Sequence, residues 1–235
     1  MLLIRKNQER LNHLKWFDIL ILTVILWGEG IYASTKAYIS LFQGTTVVTD
    51  NLNFSTADNY EALISQLLMF FLAFLYLWLR HFNFKMWTIR FSLKALVYGI
   101  GIFIAGSLLF DIYILLTDPL TASLPFPGPI KAFFGNETVS CVIYSLFNGV
   151  YEELFFLGIC LAVEKKHLKW TVPFSLLVRV SFHTYQGMIS ALGIGLLFGS
   201  FVYLIYQRSK DKNLLPFFGA HALGDIFGLG IISYF

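Results

Sequence analysis

The stretch ALVYGIGIFIAGSLLFDIYILL, residues Ala95 to Leu116, holds a single acidic or basic residue, Asp111. As a helix rising about 1.5 Å per residue it reaches about 33 Å, enough to cross a hydrocarbon core of roughly 30 Å. Similar apolar runs lie on either side of it, at Phe17 to Phe42, Leu63 to Leu79, Thr138 to Val163, Val172 to Tyr185, Gly187 to Tyr206 and Leu214 to Phe235. The expected fold is all-α, a polytopic transmembrane bundle of about seven spans. The fifth run is too short to cross upright and should sit where the bilayer is thinned or the helix is capped. Composition agrees, with 57% hydrophobic and 13% charged residues and a mean hydropathy of +0.69. Such a chain cannot cover a surface facing water, which excludes a soluble enzyme and a disordered segment.

Cationic residues test the span count, because Lys and Arg collect in cytoplasmic loops. Arg5, Lys6, Arg10 and Lys15 precede the first span, and Arg80, Lys85, Arg90 and Lys94 follow the second. Lys165, Lys166 and Lys169 follow the fourth, and Arg208, Lys210 and Lys212 follow the sixth. The intervening loops, including the Pro119 to Pro129 stretch, hold only Lys131. The N-terminus is therefore expected in the cytoplasm, the first span is read as retained, and residues 1–235 are read as one integral membrane domain. Within it, residues 1–135 form the first three spans and 136–235 a catalytic core. A net charge of +3, sorted by side, suggests no nucleic-acid partner. Cys141 and Cys160, about 28 Å apart along one expected helix, cannot pair.

A charge inside a span costs about 2.5–3.5 kcal/mol on insertion scales, so each one is a candidate for function. Glu29 and Lys36 lie two turns apart on one face and are expected to neutralise each other in part, through water or neighbouring helices, as a structural polar contact; Asp111 lies near a span end and is given no role. Glu152, Glu153, His183, His221 and Asp225 are different. Measured along their own spans, Glu152, His183 and Asp225 each lie about 16 Å from the cytoplasmic end, with His221 one turn lower. Carboxylates and imidazoles meeting in a buried, partly wet layer suit water activation and oxyanion stabilisation, as in peptide-bond hydrolysis. Two His and a carboxylate would also serve Zn²⁺, but without an HExxH pair the metal question stays open.

These residues resemble the motifs of the CPBP (CAAX protease and bacteriocin-processing, or Abi) intramembrane endopeptidases, over about Asn136 to Phe235. Glu152-Glu153-Leu154-Phe155-Phe156-Leu157 stands where the family has EExxxR, Arg179-Val180-Ser181-Phe182-His183 where it has FxxxH, and His221-Ala222-Leu223-Gly224-Asp225 where it has HxxxN or HxxxD. Tyr185-Gln186-Gly187 and the Gly195, Phe198-Gly199 helix also look typical. The resemblance implies Glu152 as general base, Glu153 as its support, His183 as partner in activating water, and His221 with Asp225 on the oxyanion. It further implies a glutamate-dependent protease with no cofactor required, Zn²⁺ being possible.

Two positions depart from the pattern: Leu157 replaces the arginine of the first motif, and Arg179 the phenylalanine of the second. Arg179 is expected to pair with Glu153, supplying the lost guanidinium from another helix, in place of the simpler alternative of snorkelling to the interface. The expected activity is cleavage of membrane-associated peptides or precursors, by CAAX-type processing or peptide pheromone or bacteriocin maturation. The cavity is expected to open to the cytoplasm, the lipid bilayer to be the medium and a bacterial plasma membrane the location. The alternative is a non-catalytic bacteriocin-immunity or scaffold protein of the same fold; a proton-relaying transporter ranks below both, since no repeat halves occur.

Overall fold

A computed structural model describes residues 10–52, 54–120 and 138–231 of the chain. Arg5 and Lys6, most of the Pro119 to Pro129 stretch, Lys131 and the end of the last expected span lie outside these residues. No strand occurs among them, only the isolated bridges Leu11–Phe82 and Thr88–Asn213. The helices are α1 (Trp16–Phe42), the short α2 (Val48–Asn51), α3 (Thr56–Leu79), α4 (Leu93–Thr117), α5 (Val139–Glu153), α6 (Leu168–His183), α7 (Met188–Leu192), α8 (Gly199–Arg208) and α9 (Leu215–Phe227). Wide π-type turns continue α5 through Leu154–Ile159 and join α7 to α8 through Gly193–Phe198.

Each expected apolar run is helical, but the lengths differ from expectation for local reasons. The second begins seven residues early, at Thr56, because Ser55 Oγ accepts from the Asp58 amide at 3.2 Å while the Asp58 carboxylate accepts from the Ser55 amide at 2.7 Å. This reciprocal box satisfies backbone donors that a helix start leaves open. The fourth leaves helical geometry after Ile159 instead of Val163. The last stops at Phe227, where Gly228 adopts φ 81°, a conformation that L side chains rarely take.

Five helices among the described residues are long and apolar enough to cross a membrane: α1, α3, α4 extended to Leu120, α5 with its wide turn, and α7 through α8. The protein is an integral membrane protein. The other two expected runs, α6 with 16 residues and α9 with 13 among the described residues, are shorter than these five. At about 1.5 Å per residue they reach roughly 24 and 20 Å, against a core of about 30 Å.

The helix ends sort into two groups. At one end lie the N-termini of α1, α4, α6 and α9 and the C-termini of α3 and α8, together with the basic segments. Backbone bonds knit this basic end together: Leu11 N–H to His81 C=O, Asn83 N–H to Leu11 C=O, Leu14 N–H to Ala162 C=O and Leu214 N–H to Thr88 C=O, all between 2.6 and 3.0 Å. The Asn213 side chain pairs with both backbone groups of Arg90, at 2.9 Å each. Asp18, fully buried and overlooked among the intramembrane charges, accepts from Arg80 Nε at 2.8 Å and Tyr76 Oη at 2.6 Å, fastening α1 to α3. Glu29 takes the Ser65 hydroxyl at 3.2 Å and forms no ion pair with Lys36, since both face outward.

α9 packs between α4 and α5, and α6 against α1. Small residues set the closest approaches. A Cβ on Gly149 of α5 would stand 2.5 Å from the Phe218 carbonyl oxygen and 3.1 Å from the Ala222 nitrogen of α9. Only glycine permits that spacing, which is how small residues bring membrane helices together. Cys141 and Cys160 are both free thiols.

Candidate active site

Glu153, the last residue of α5, is 1% exposed and lies at the centre of a buried charged cluster. One carboxylate oxygen, Oε1, accepts from Arg179 Nη2 of α6 at 2.7 Å and from His221 Nδ1 of α9 at 2.8 Å. Arg179 is 2% exposed and its guanidinium carbon sits 4.0 Å above the ring centre of Phe156, so the cation is held by a carboxylate and an aromatic face together. Phe156 stacks on Phe182, and Phe182 on Trp27 of α1, with ring centres 6.1 and 4.0 Å apart. Arg179 is therefore not at the interface; it forms the expected pair with Glu153.

Glu152 points to the other side of the same helix turn. Its Oε1 accepts from Asn148 Nδ2 at 3.1 Å and lies 3.5 Å from His221 Nε2. Asn148 Nδ2 also donates to Asp225 at 2.8 Å, while its carbonyl oxygen accepts from Gln66 Nε2 of α3 at 2.7 Å. One amide thus bridges two carboxylates and is itself oriented by a second amide. Asp225 lies 3.6 Å from His221 Nε2, sharing the α9 face at a spacing of four residues.

His183 ends α6. Its Nδ1 faces the Arg179 carbonyl oxygen at 2.8 Å. A carbonyl only accepts, so Nδ1 carries the hydrogen, and in the neutral ring Nε2 is left with its lone pair.

Glu152, Glu153, Arg179, His221 and Asp225 therefore meet through direct contacts or shared partners, although the equal-depth arithmetic does not hold. α6 begins at Leu168 and not Val172, so His183 lies about 22 Å along its helix, compared with about 15 Å for Asp225 on α9. The side chain of Asp225 is 28% exposed and Tyr185 and Gln186 are half-buried, all toward the end of the bundle opposite the basic segments. Toward the basic end the cluster rests on buried Leu157, Phe217 and Phe218, at 3%, 1% and 5% exposure.

Asn148 and Gln66 were not among the expected site residues. Both are polar amides inside apolar runs, and Asn148 stands four residues before Glu152, a spacing that puts the two on one helix face. His13, His81 and His167 are exposed at the basic end, apart from the site.

The donor set fits a metal poorly. Both nitrogens of His221 face carboxylates, His183 has only Nε2 to offer, and no three His, Cys, Asp or Glu side chains among the described residues converge as ligands. Glu152 Oε2, Glu153 Oε2 and Arg179 Nη1 are buried without a hydrogen-bond partner within the described protein. A cavity of about 10 Å³, lined in part by Leu157 and Arg179, adjoins the guanidinium.

No match was found among curated proteins or solved structures. Residues 134–227, which hold every member of the cluster except Gln66, match the family model described as Type II CAAX prenyl endopeptidase Rce1-like.

Proposed function

We propose that the protein is an intramembrane endopeptidase in which Glu152 activates the hydrolytic water. The observation that carries this reading is the meeting of Glu152, Glu153, His221 and Asp225 in one buried cluster, within the segment that matches a CAAX-type protease family. Burial of ionisable groups in a bundle is expensive, and a cluster of them in a family-matched segment is better accounted for by chemistry than by packing.

In this reading Glu152 takes a proton from a water that also donates to His183 Nε2, and the water oxygen attacks the scissile carbonyl carbon. The oxyanion forms between His221 Nε2 and Asp225; His221 in its imidazolium form and Asp225 in its protonated form are both donors. When the C–N bond breaks, the leaving nitrogen receives the proton that Glu152 took, giving an acid and an amine. Glu153 and Arg179 act through position: their pair fixes His221 by Nδ1 and closes the floor of the site. No cofactor takes part in this scheme, and no step uses Zn²⁺. The substrate is a membrane-associated peptide or protein precursor, and a bacterial plasma membrane is the location this reading favours.

The test is cleavage of a membrane-anchored reporter peptide by the purified protein in liposomes. Glu152→Gln keeps shape and the Asn148 contact but removes the base, and cleavage should fall by about 10²–10⁴-fold, the usual contribution of a positioned general base. Equal cleavage by Glu152→Gln and wild type would reject the mechanism, and retention of an in vivo phenotype by that variant would favour the non-catalytic immunity or scaffold role.

A further inference from the structure

We infer that the site takes its substrate from the extracytoplasmic side of the membrane, so that the bond it cleaves must already have been translocated. The inference rests on the protease reading above and adds the side and the preceding step. Two independent asymmetries carry it. The first is in the site, where exposure rises from Glu153 and Arg179, at 1% and 2%, to the Asp225 side chain at 28%. Beyond Asp225 lie half-buried Tyr185 and Gln186, and the short helix α2 above them, whose Asn51 Nδ2 donates to the Tyr185 carbonyl at 3.1 Å. In the opposite direction the way is closed by Leu157, Phe217 and Leu214, none more than 3% exposed, and then by the knitted backbone segments.

The second asymmetry is in charge. Arg80, Lys85, Arg90, Lys165, Lys166 and Lys210 typify the closed end, whereas the described residues at the open end, 43–52, 54–55, 118–120, 184–187 and 228–231, hold no Lys or Arg. Basic segments mark the cytoplasmic side. The closed end is then cytoplasmic and the mouth extracytoplasmic. A polypeptide made in the cytosol reaches such a mouth only after export, so the reaction that supplies this substrate is membrane translocation, and a cytosolic lipidated tail does not meet the site.

Single cysteines in a Cys141→Ser background test the sidedness, Cys160 being fully buried. Gln186→Cys and Asn51→Cys report the mouth, and Lys166→Cys and Lys210→Cys the basic end. With a membrane-impermeant maleimide on intact cells, the first two should be labelled and the last two labelled only after permeabilisation. The reverse pattern, labelling of all four from outside, or no labelling of either mouth position under any condition overturns the inference. A second arm uses two anchored reporters with the cleavable segment on one side or the other, in cells. Cleavage of the outside reporter alone is expected, and cleavage of the inside reporter alone overturns the inference. Two uncut reporters together with outside labelling of the mouth would refute the protease reading and leave the sidedness standing.

Discussion

Arg179 of α6 and Glu153 of α5 form a fully buried ion pair at 2.7 Å, and Leu157 lines the same small cavity as the guanidinium. The cation that neutralises Glu153 is therefore delivered from a neighbouring helix. Truncating one member of a buried pair leaves the other charged and unpartnered, at a cost of about 3–5 kcal/mol. Arg179→Ala should lower the melting temperature in detergent and abolish reporter cleavage. Adding Leu157→Arg should restore both, because the new guanidinium starts from the same cavity; failure of the double variant would show that the two positions are not exchangeable.

Asn148 joins Glu152, Asp225 and Gln66 through one amide. Hydrogen bonds to charged groups contribute about 1.5–3 kcal/mol, so Asn148→Leu should reduce kcat for reporter cleavage by about 10–100-fold. Gln66→Leu, one contact further out, should have a smaller effect in the same direction. If Gln66→Leu proved the more damaging, the orienting role assigned to it would be wrong.

Gly149→Ala places a methyl group 2.5 Å from the Phe218 carbonyl oxygen and must push α5 away from α9. Overpacking of this kind costs about 1–3 kcal/mol, and here it also separates the two glutamates from His221. Reduced stability and lost cleavage are expected together. Gly219→Ala is the control: nothing lies within 4 Å of its added Cβ, and it should behave as wild type in both measurements.

Asp18 accepts four hydrogen bonds, from Lys15 N, Tyr76 Oη and two nitrogens of Arg80, all at the basic end. Asp18→Ala removes the buried acceptor that Tyr76 and Arg80 share; hydrogen bonds to a charged group contribute about 1.5–3 kcal/mol, so the thermal midpoint should fall. The kcat of the folded fraction should be unchanged, since none of these groups touches the cluster; a reduced kcat per folded molecule would contradict a purely structural role.

Apolar runs and charge sorting were enough to read the helices, because the bilayer imposes both on any chain that crosses it. The ionisable cluster was legible for the same reason, since Glu152, Glu153, Arg179, His221 and Asp225 are conspicuous where lipid is expected. Asn148 and Gln66 were missed because an amide carries no charge and a search for charges passes over it. Asp18 was missed by lying at the very start of a span, as its second residue, while its partner Arg80 is counted as a loop residue. The lengths of α6 and α9 depended on their ends, a 3₁₀ turn at Thr184–Gln186 and Gly228, which hydropathy does not register. Which end of the cluster is the more exposed required coordinates, because it follows from which end of the bundle the apolar side chains close.

The wide turn Leu154–Ile159, with Cys160 N–H reaching back five residues to the Phe155 carbonyl, contains one residue more than an α-turn. Removing a residue there would swing everything after it by about 100° while leaving Glu152 and Glu153 where they are. The turn works as a swivel between the glutamates and the aromatic bed of the arginine, so the aim of the acid and the seating of the cation are adjusted separately on a single rod. The seat of the cation can therefore be rebuilt without turning the two carboxylates away from His221.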